Sequence, residues 1–236
     1  MSRVLVTGGA GTIGQAVVRR LLRDPRFEVR VSDQRAAPGW IREGCEVHTG
    51  DLRERDQAST ATAGCSHVIH LAAIVGGIAN FHRLPYTLTD VNSSLYNGVV
   101  GAAIQHDVER FVYVSSSMVF ENATVFPTPE DHVWECPVPR SAYGFSKLAG
   151  EFWVRAAHDE HGLPFTICRP FNAYGPGEVP EDEPGIAHAV PDLIKKCLAL
   201  DPAGVGPLPI FGDGTHTRTL THVDDIADGI VTAMAS

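Results

Sequence analysis

The sequence predicts an α/β protein built on a doubly wound parallel sheet. Three observations carry that prediction. Short β-branched apolar runs alternate with stretches of helical periodicity from Arg3 to Arg169. A glycine-rich turn joins the first run to the first helix. The residues able to do chemistry fall at the carboxyl ends of the runs, where a sheet of this kind places its site.

In order, Arg3 to Thr7 reads as a strand, Gly8-Gly9-Ala10-Gly11-Thr12-Ile13-Gly14 as the turn, and Gln15 to Arg23 as a helix. Small residues in such a turn let the backbone approach a pyrophosphate, and the helix start offers it free N–H groups. A second strand, Glu28 to Ser32, ends at Asp33, 19 residues beyond Gly14. A carboxylate there accepts hydrogen bonds from an adenosine ribose and repels a 2′-phosphate, which favours NAD over NADP; Arg35 blurs the preference. Cys45 to Thr49 is a third strand leading into Gly50-Asp51-Leu52, followed by a helix around Arg53 to Ala63. Val68 to Leu71 is a fourth strand, running into the small residues Ala72-Ala73-Ile74-Val75-Gly76-Gly77. Val91 to His106 reads as a long helix, and Arg110 to Val114 as a fifth strand ending in Ser115-Ser116-Ser117. A turn-rich stretch, Glu121 to Arg140, precedes a helix reaching about His161, and Pro164 to Arg169 is a sixth strand. From Gly175 the chain is rich in proline and glycine, and only Ala189 to Leu200 and Val223 to Met234 look helical. This divides the chain into a sheet domain, residues 1–175, and an irregular cap, residues 176–236.

Bulk properties exclude several classes. A chain of 236 residues with 44% hydrophobic and 20% charged residues buries a sizeable core. A net charge of −9 argues against nucleic-acid binding. No apolar run approaches the roughly 18 residues of a membrane span. Val4-Leu5-Val6 follows the N-terminus at once, so no signal peptide is expected. Cys45, Cys65, Cys136, Cys168 and Cys197 are odd in number and scattered, which predicts reduced thiols in a cytoplasmic protein and no metal site. His67 and His70 flank Val68-Ile69 and read as strand residues rather than ligands.

The chemistry centres on Ser141-Ala142-Tyr143-Gly144-Phe145-Ser146-Lys147. On a helix, Tyr143 and Lys147 share a face one turn apart. An ammonium there favours the charged phenol, so Tyr143 reads as a general base with Lys147 lowering its pKa. The pair alone is a weak signal; the glycine-rich turn and the serine run strengthen it.

With these residues in hand, the chain resembles the extended short-chain dehydrogenase/reductase family, in particular NAD-dependent nucleotide-sugar epimerases and dehydratases. The matching landmarks are Thr7-Gly8-x-x-Gly11-x-x-Gly14, Asp33, Gly50-Asp51-Leu52, His70-Leu71-Ala72-Ala73, Asn92, Val114-Ser115-Ser116-Ser117, Tyr143-x-x-x-Lys147, Arg169-Pro170-Phe171-Asn172-Ala173-Tyr174-Gly175-Pro176, Phe211-Gly212-Asp213-Gly214, Arg218 and His222-Val223-Asp224-Asp225-Ile226-Ala227. The resemblance implies a Rossmann domain with a small, irregular C-terminal substrate-binding part, either incomplete or that of an unusually short member, because relatives usually continue well past the position of Ser236. It implies that Tyr143 is the base, that Lys147 holds the nicotinamide ribose, and that Ser116, with Ser117 as runner-up, orients the sugar. NAD would meet Gly8, Gly11, Thr12, Ile13, Gly14, Asp33, Asp51, Leu52, Leu71, Ala72, Ala73, Asn92, Ser115, Tyr143, Lys147 and Pro170. The nucleotide-diphosphate sugar would meet Ser116, Ser117, Asn172 and Arg218, and the helices 92–106 and 143–161 would form a homodimer.

Departures from the pattern narrow the chemistry. In this resemblance 4,6-dehydratases carry an Asp-Glu pair where this chain has Ser117-Met118, which disfavours dehydration. The run 73–78 looks like the GDP-fucose synthase and GDP-mannose 3,5-epimerase branch, yet Met118 stands where that branch has a Cys. What survives is a nucleotide-sugar epimerase, with C4 as the expected carbon. The alternatives are an NAD(P)-dependent reductase or dehydrogenase, and a catalytically silent nucleotide-binding member.

Overall fold

The computed structural model describes residues 1–75, 83–178, 188–200, 207–210, 213–215 and 217–236. Gly76, Gly77 and Ile78 of the small-residue run, and Phe211 and Gly212, lie outside the described residues.

Six parallel strands form the central sheet: β1 Ser2–Thr7, β2 Phe27–Ser32, β3 Glu46–His48, β4 His67–His70, β5 Arg110–Val114 and β6 Phe165–Cys168, in the order β3-β2-β1-β4-β5-β6. The order reverses between β1 and β4, which opens a crevice at their carboxyl ends. Alternation along each strand sends side chains to two cores. Val4, Val6, Val29, Val31, Ile69, Val112 and Val114 face one; Leu5, Val68, Phe111 and Tyr113 face the other.

Helices α1 Thr12–Leu22, α2 Gly39–Gly44, α3 Arg55–Thr62, α4 Pro85–Gln105, α5 Ala142–His161, α6 Ala189–Leu198 and α7 Val223–Ala235 complete the described elements, with a two-stranded parallel pair β7 Ala173–Tyr174 and β8 Thr221–His222. Val17, Val18 and Leu21 of α1 pack with Ile226, Ile230 and Met234 of α7 on the first face. Ala58 of α3, Val99 and Ala103 of α4 and Val154 of α5 cover the second. Each fully buried Val or Leu contributes about 1.5–3 kcal/mol, so these layers hold the sheet.

Two starts differ from the sequence reading. Helix α4 begins at Pro85 rather than Val91, because proline suits a first helical position while the polar stretch after it lacks apolar periodicity. Helix α1 begins at Thr12, directly on the glycine turn. The boundary expected at residue 175 does not coincide with the packing. The cap expected over residues 176–236 includes α7, which is a core helix of the sheet layer because its apolar face needs β1, β4 and β5 to cover it.

Candidate active site

The crevice begins at the turn after β1. Gly8 sits at φ +70°, and a Cβ there would lie 2.8 Å from the backbone nitrogen of Ala72. A Cβ on Gly14 would lie 2.2 Å from the Gly8 carbonyl oxygen, so both positions require glycine. The helix start has no side-chain cap, and its first i to i−4 bond is Gln15 N–H to the Gly11 carbonyl. The amides of Thr12, Ile13 and Gly14 therefore have no carbonyl of α1 behind them, a ready cradle for an anion. Thr12 Oγ1 donates to the Gly177 carbonyl at 3.3 Å, bringing the chain beyond β7 over this turn.

Asp33 follows β2 and leans into the turn: its Oδ2 accepts from Ala10 N–H at 3.0 Å, and its Oδ1 from Arg35 N–H at 2.9 Å. The Arg35 guanidinium also reaches Asp33, with 3.4 Å between Nε and Oδ1. Asp51 is clasped by Arg53, whose guanidinium holds its carboxyl below the usual range. Leu52 is buried, and its carbonyl lies so close to α4 that a Cβ on Gly98 would approach it to 2.1 Å.

Thr7, which ends β1 and opens the glycine motif, ties that turn to the end of β4. Its Oγ1 accepts from the N–H groups of Leu71 and Ala72, each at 3.2 Å, and bonds His70 Nδ1 at 2.8 Å. Asn92, expected against the cofactor, spends its amide elsewhere. It accepts from Ile74 N–H at 2.8 Å and donates to the Ile74 carbonyl and to Ser146 Oγ. Both of its donors and its oxygen are engaged, so it holds the segment after β4, with Ala73 in it, against α4 and α5.

Ser116, Tyr143 and Lys147 come together at the end of β5. Ser141 caps α5, its Oγ accepting from Gly144 N–H at 3.1 Å, which places Tyr143 in the first turn. Ser116 lies close enough to the Tyr143 phenol to favour its charged form. Ser116 Oγ accepts from Met118 N–H at 3.2 Å, and Ser117 N–H donates to the Pro170 carbonyl at 3.1 Å. Lys147 is 4% exposed and donates to the Val114 carbonyl at 2.9 Å, with its Nζ 6.0 Å from the centre of the Tyr143 ring.

Burial dominates the electrostatics. It pushes the Tyr143 phenol up to about 12, with Ser116 opposing the shift. Burial also pulls Lys147 down to about 8. The Lys147 ammonium donates to the Val114 carbonyl at this distance from the phenol.

Ser115, also expected against the cofactor, directs its hydroxyl to Glu151 Oε1 at 2.7 Å. Glu151 was not foreseen, although its spacing from Tyr143 and Lys147 on one helix face is visible in the sequence. On the substrate side, Asn172 donates to the Thr219 carbonyl at 2.9 Å and accepts from Thr221 N–H at 3.3 Å. That pairing lays the Arg218 segment alongside it; the Arg218 guanidinium is exposed and, among the described residues, donates to the Thr217 carbonyl. Among the described residues no group of His, Cys, Asp or Glu side chains could hold a metal ion, and no helix is long and apolar enough to cross a membrane.

A glycine turn, a carboxylate after β2 and a Ser/Tyr/Lys cluster at one crevice are the features of a dinucleotide-binding sheet. The model of the NAD dependent epimerase/dehydratase family matches residues 4–236, and the chain belongs to that family. Its members are enzymes and its cofactor is NAD, which the bare amides of α1 and Asp33 suit. The chain is 30% identical over 229 residues to the uncharacterized protein y4nG of Sinorhizobium fredii, covering 97% of this chain and 52% of that one. It is 28% identical to a GDP-L-fucose synthase of the same organism, over 97% of this chain and 69% of that one. The structure superposes on a UDP-N-acetylglucosamine 4-epimerase from Methanobrevibacter ruminantium, in complex with UDP-N-acetylmuramic acid. The TM-score is 0.86 and the identity 26%, over 100% of this chain and 73% of that one. The chain thus spans about half to three quarters of the length of these relatives.

Proposed function

We propose that this chain is an NAD-dependent nucleotide-sugar epimerase acting by transient oxidation of a sugar hydroxyl, at C4. The observation that carries the reading is the meeting of buried Ser116, Tyr143 and Lys147 at the end of β5, with Met118 rather than an acid or base two residues after Ser116. Similarity to a UDP-N-acetylglucosamine 4-epimerase supports the carbon.

Tyr143 Oη takes the proton of the sugar hydroxyl, and Ser116 Oγ orients that hydroxyl while bonding the phenol. The Lys147 ammonium, fixed on the Val114 carbonyl, supplies positive charge beside the ribose and the phenolate. NAD, when bound, supplies the hydride acceptor and donor and a positively charged ring that further favours the phenolate. Its pyrophosphate would lie on the amides of Thr12, Ile13 and Gly14, and its adenosine ribose on Asp33. Gly8, Gly11, Leu71, Ala72, Ala73 and Pro170 border that crevice, and Asp51 and Leu52 the adenine side. Ser117 after β5, Asn172 after β6 and Arg218 before β8 would face the sugar nucleotide. Met118 offers no acid or base for removing water.

A reductase reading is favoured by the GDP-L-fucose synthase relative. We further assign self-association to α4 and α5, where Phe145, Phe152 and Trp153 are exposed, and a cytoplasmic location.

One experiment separates the readings. The purified chain is denatured, the released nucleotide identified by mass, and UDP-glucose and UDP-galactose interconversion followed by chromatography. NAD retained through many turnovers with no net reduction supports epimerisation. An empty protein that consumes one reduced cofactor per turnover would sink it in favour of the reductase.

A further inference from the structure

One buried carboxylate ties together the two strand ends that carry the reactive hydroxyl and the substrate-side chain. Glu151 lies on α5 four residues after Lys147 and eight after Tyr143, on the same face. It is 2% exposed. Its Oε1 accepts from Ser115 Oγ at 2.7 Å and from Arg169 Nε at 2.8 Å, and its Oε2 accepts from Arg169 Nη2 at 2.7 Å. Arg169 also donates through Nη1 to the Glu130 carbonyl at 3.1 Å, and its guanidinium lies 5.2 Å from the centre of the Phe120 ring.

Both partners border the site. Ser115 precedes Ser116, and Arg169 precedes Pro170, Phe171 and Asn172. Backbone bonds carry the β5–β6 pairing outward through the same residues, from Ser115 N–H to the Cys168 carbonyl at 2.8 Å and from Ser117 N–H to the Pro170 carbonyl at 3.1 Å. Ser116 is thus held from β6 through the backbone and from α5 through its neighbour's side chain. A buried ion pair is a poor source of net stability, because desolvation offsets most of its attraction. An apolar pair of similar volume would hold the strands as firmly. What the two-armed carboxylate–guanidinium pair adds is direction: bonds fixed in angle, one of them ending beside Ser116.

We propose that Glu151 is a positioning residue, which through Ser115 and Arg169 holds the Ser116 hydroxyl on the Tyr143 phenol and keeps residues 170–172 in register with it. Glu151 touches neither cofactor nor sugar. The bearing on catalysis rests on the reading of Tyr143 as the base; the geometry does not.

The test uses the full chain with its five tyrosines labelled with carbon-13 at Cζ. Tyr143→Phe removes one signal and assigns it, and Ser116→Ala sets the change expected when the hydroxyl is lost. Lys147 of the same helix, Tyr96 of α4 and Tyr113 of β5 face Tyr143 and stay unchanged in every variant. Ser115→Ala keeps the Glu151 charge, so a moved signal and midpoint in that variant report the hydroxyl, whereas loss of the Glu151 charge by itself would lower the midpoint. In Glu151→Gln, and to a smaller extent in Ser115→Ala, the Tyr143 signal moves toward its Ser116→Ala position and its titration midpoint rises. Turnover falls about tenfold in Glu151→Gln with KM nearly unchanged, the pattern of a displaced catalytic group. Tyr143 signals and midpoints at wild-type values in both variants would overturn the proposal, as would a Ser116→Ala protein in which Tyr143 does not move. If Glu151→Gln fails to fold, Ser115→Ala decides, since it removes a single oxygen. Tyr143 shifts as expected in a protein without sugar-nucleotide turnover would uphold the positioning and sink the epimerase reading.

Discussion

The two sides of the crevice are built differently. On the cofactor side, Gly14, Ser116, Tyr143, Lys147 and Glu151 are all buried, each fixed by the core or by hydrogen bonds to a neighbouring element. On the substrate side, Asn172 and Arg218 are exposed, and among the described residues Arg218 bonds its sequence neighbour Thr217. Core packing therefore fixes the residues proposed as base and cofactor cradle, while the proposed substrate contacts lie outside the core. A site of this kind keeps its chemistry constant and leaves specificity to the exposed side.

Substitutions should sort by side, and four measurements test whether they do. The largest effect is expected from Tyr143→Phe, which removes the base and should lower turnover by about 10²–10⁴-fold while leaving NAD binding intact, measured by steady-state rates and cofactor titration. Next is Gly14→Ala: its Cβ would meet the Gly8 carbonyl at 2.2 Å, and backbone cannot yield as a side chain can. A stability loss on the order of 3 kcal/mol in urea unfolding is expected, together with weakened NAD binding.

The third concerns the buried histidine beside the cofactor side. His70 is held neutral in the folded chain, its pKa lowered to about 3 by burial and by the nearby Lys147 ammonium. Unfolded, it titrates near 6.5. Between those values the unfolded chain binds the extra proton, so stability falls as pH drops from 6.5 toward 3. At pH 5 this amounts to about 2 kcal/mol. His70→Asn should flatten that slope; unchanged slopes in the two proteins would show that other groups set it. The smallest effect is expected from Arg218→Ala, which should raise KM for a sugar nucleotide roughly tenfold with turnover unchanged. A large loss of turnover there would break the contrast between the two sides.

The cofactor side was also the legible side. The Gly8 to Gly14 spacing, the carboxylate after β2 and the Tyr143/Lys147 pair depend on local geometry, which sequence order records directly. Side-chain partners distant in the chain were not legible. Asn92 and Ser115 were expected on the cofactor; the Asn92 side chain also holds Ile74 and Ser146, and that of Ser115 also holds Glu151. Glu151 shares a helix face with Tyr143 and Lys147, and Thr7 opens the glycine motif, but neither pattern names a partner, since a carboxylate or a hydroxyl gains one only when a fold sets it there.

By itself, then, the sequence determined the alternation of strand and helix, the turn that fits a dinucleotide, and the Tyr143/Lys147 pair proposed as the base and its neighbour, because hydrophobic period and i to i+4 spacing are properties of short segments. Only the tertiary structure decided that Val223–Ala235 belongs to the core rather than to a cap. It also decided that Lys147 donates to the Val114 carbonyl and that Ser116 lies beside Tyr143 at the end of β5. Those outcomes turn on which groups lose water and which partner each then meets, and burial is set by the whole sheet with its two helical layers.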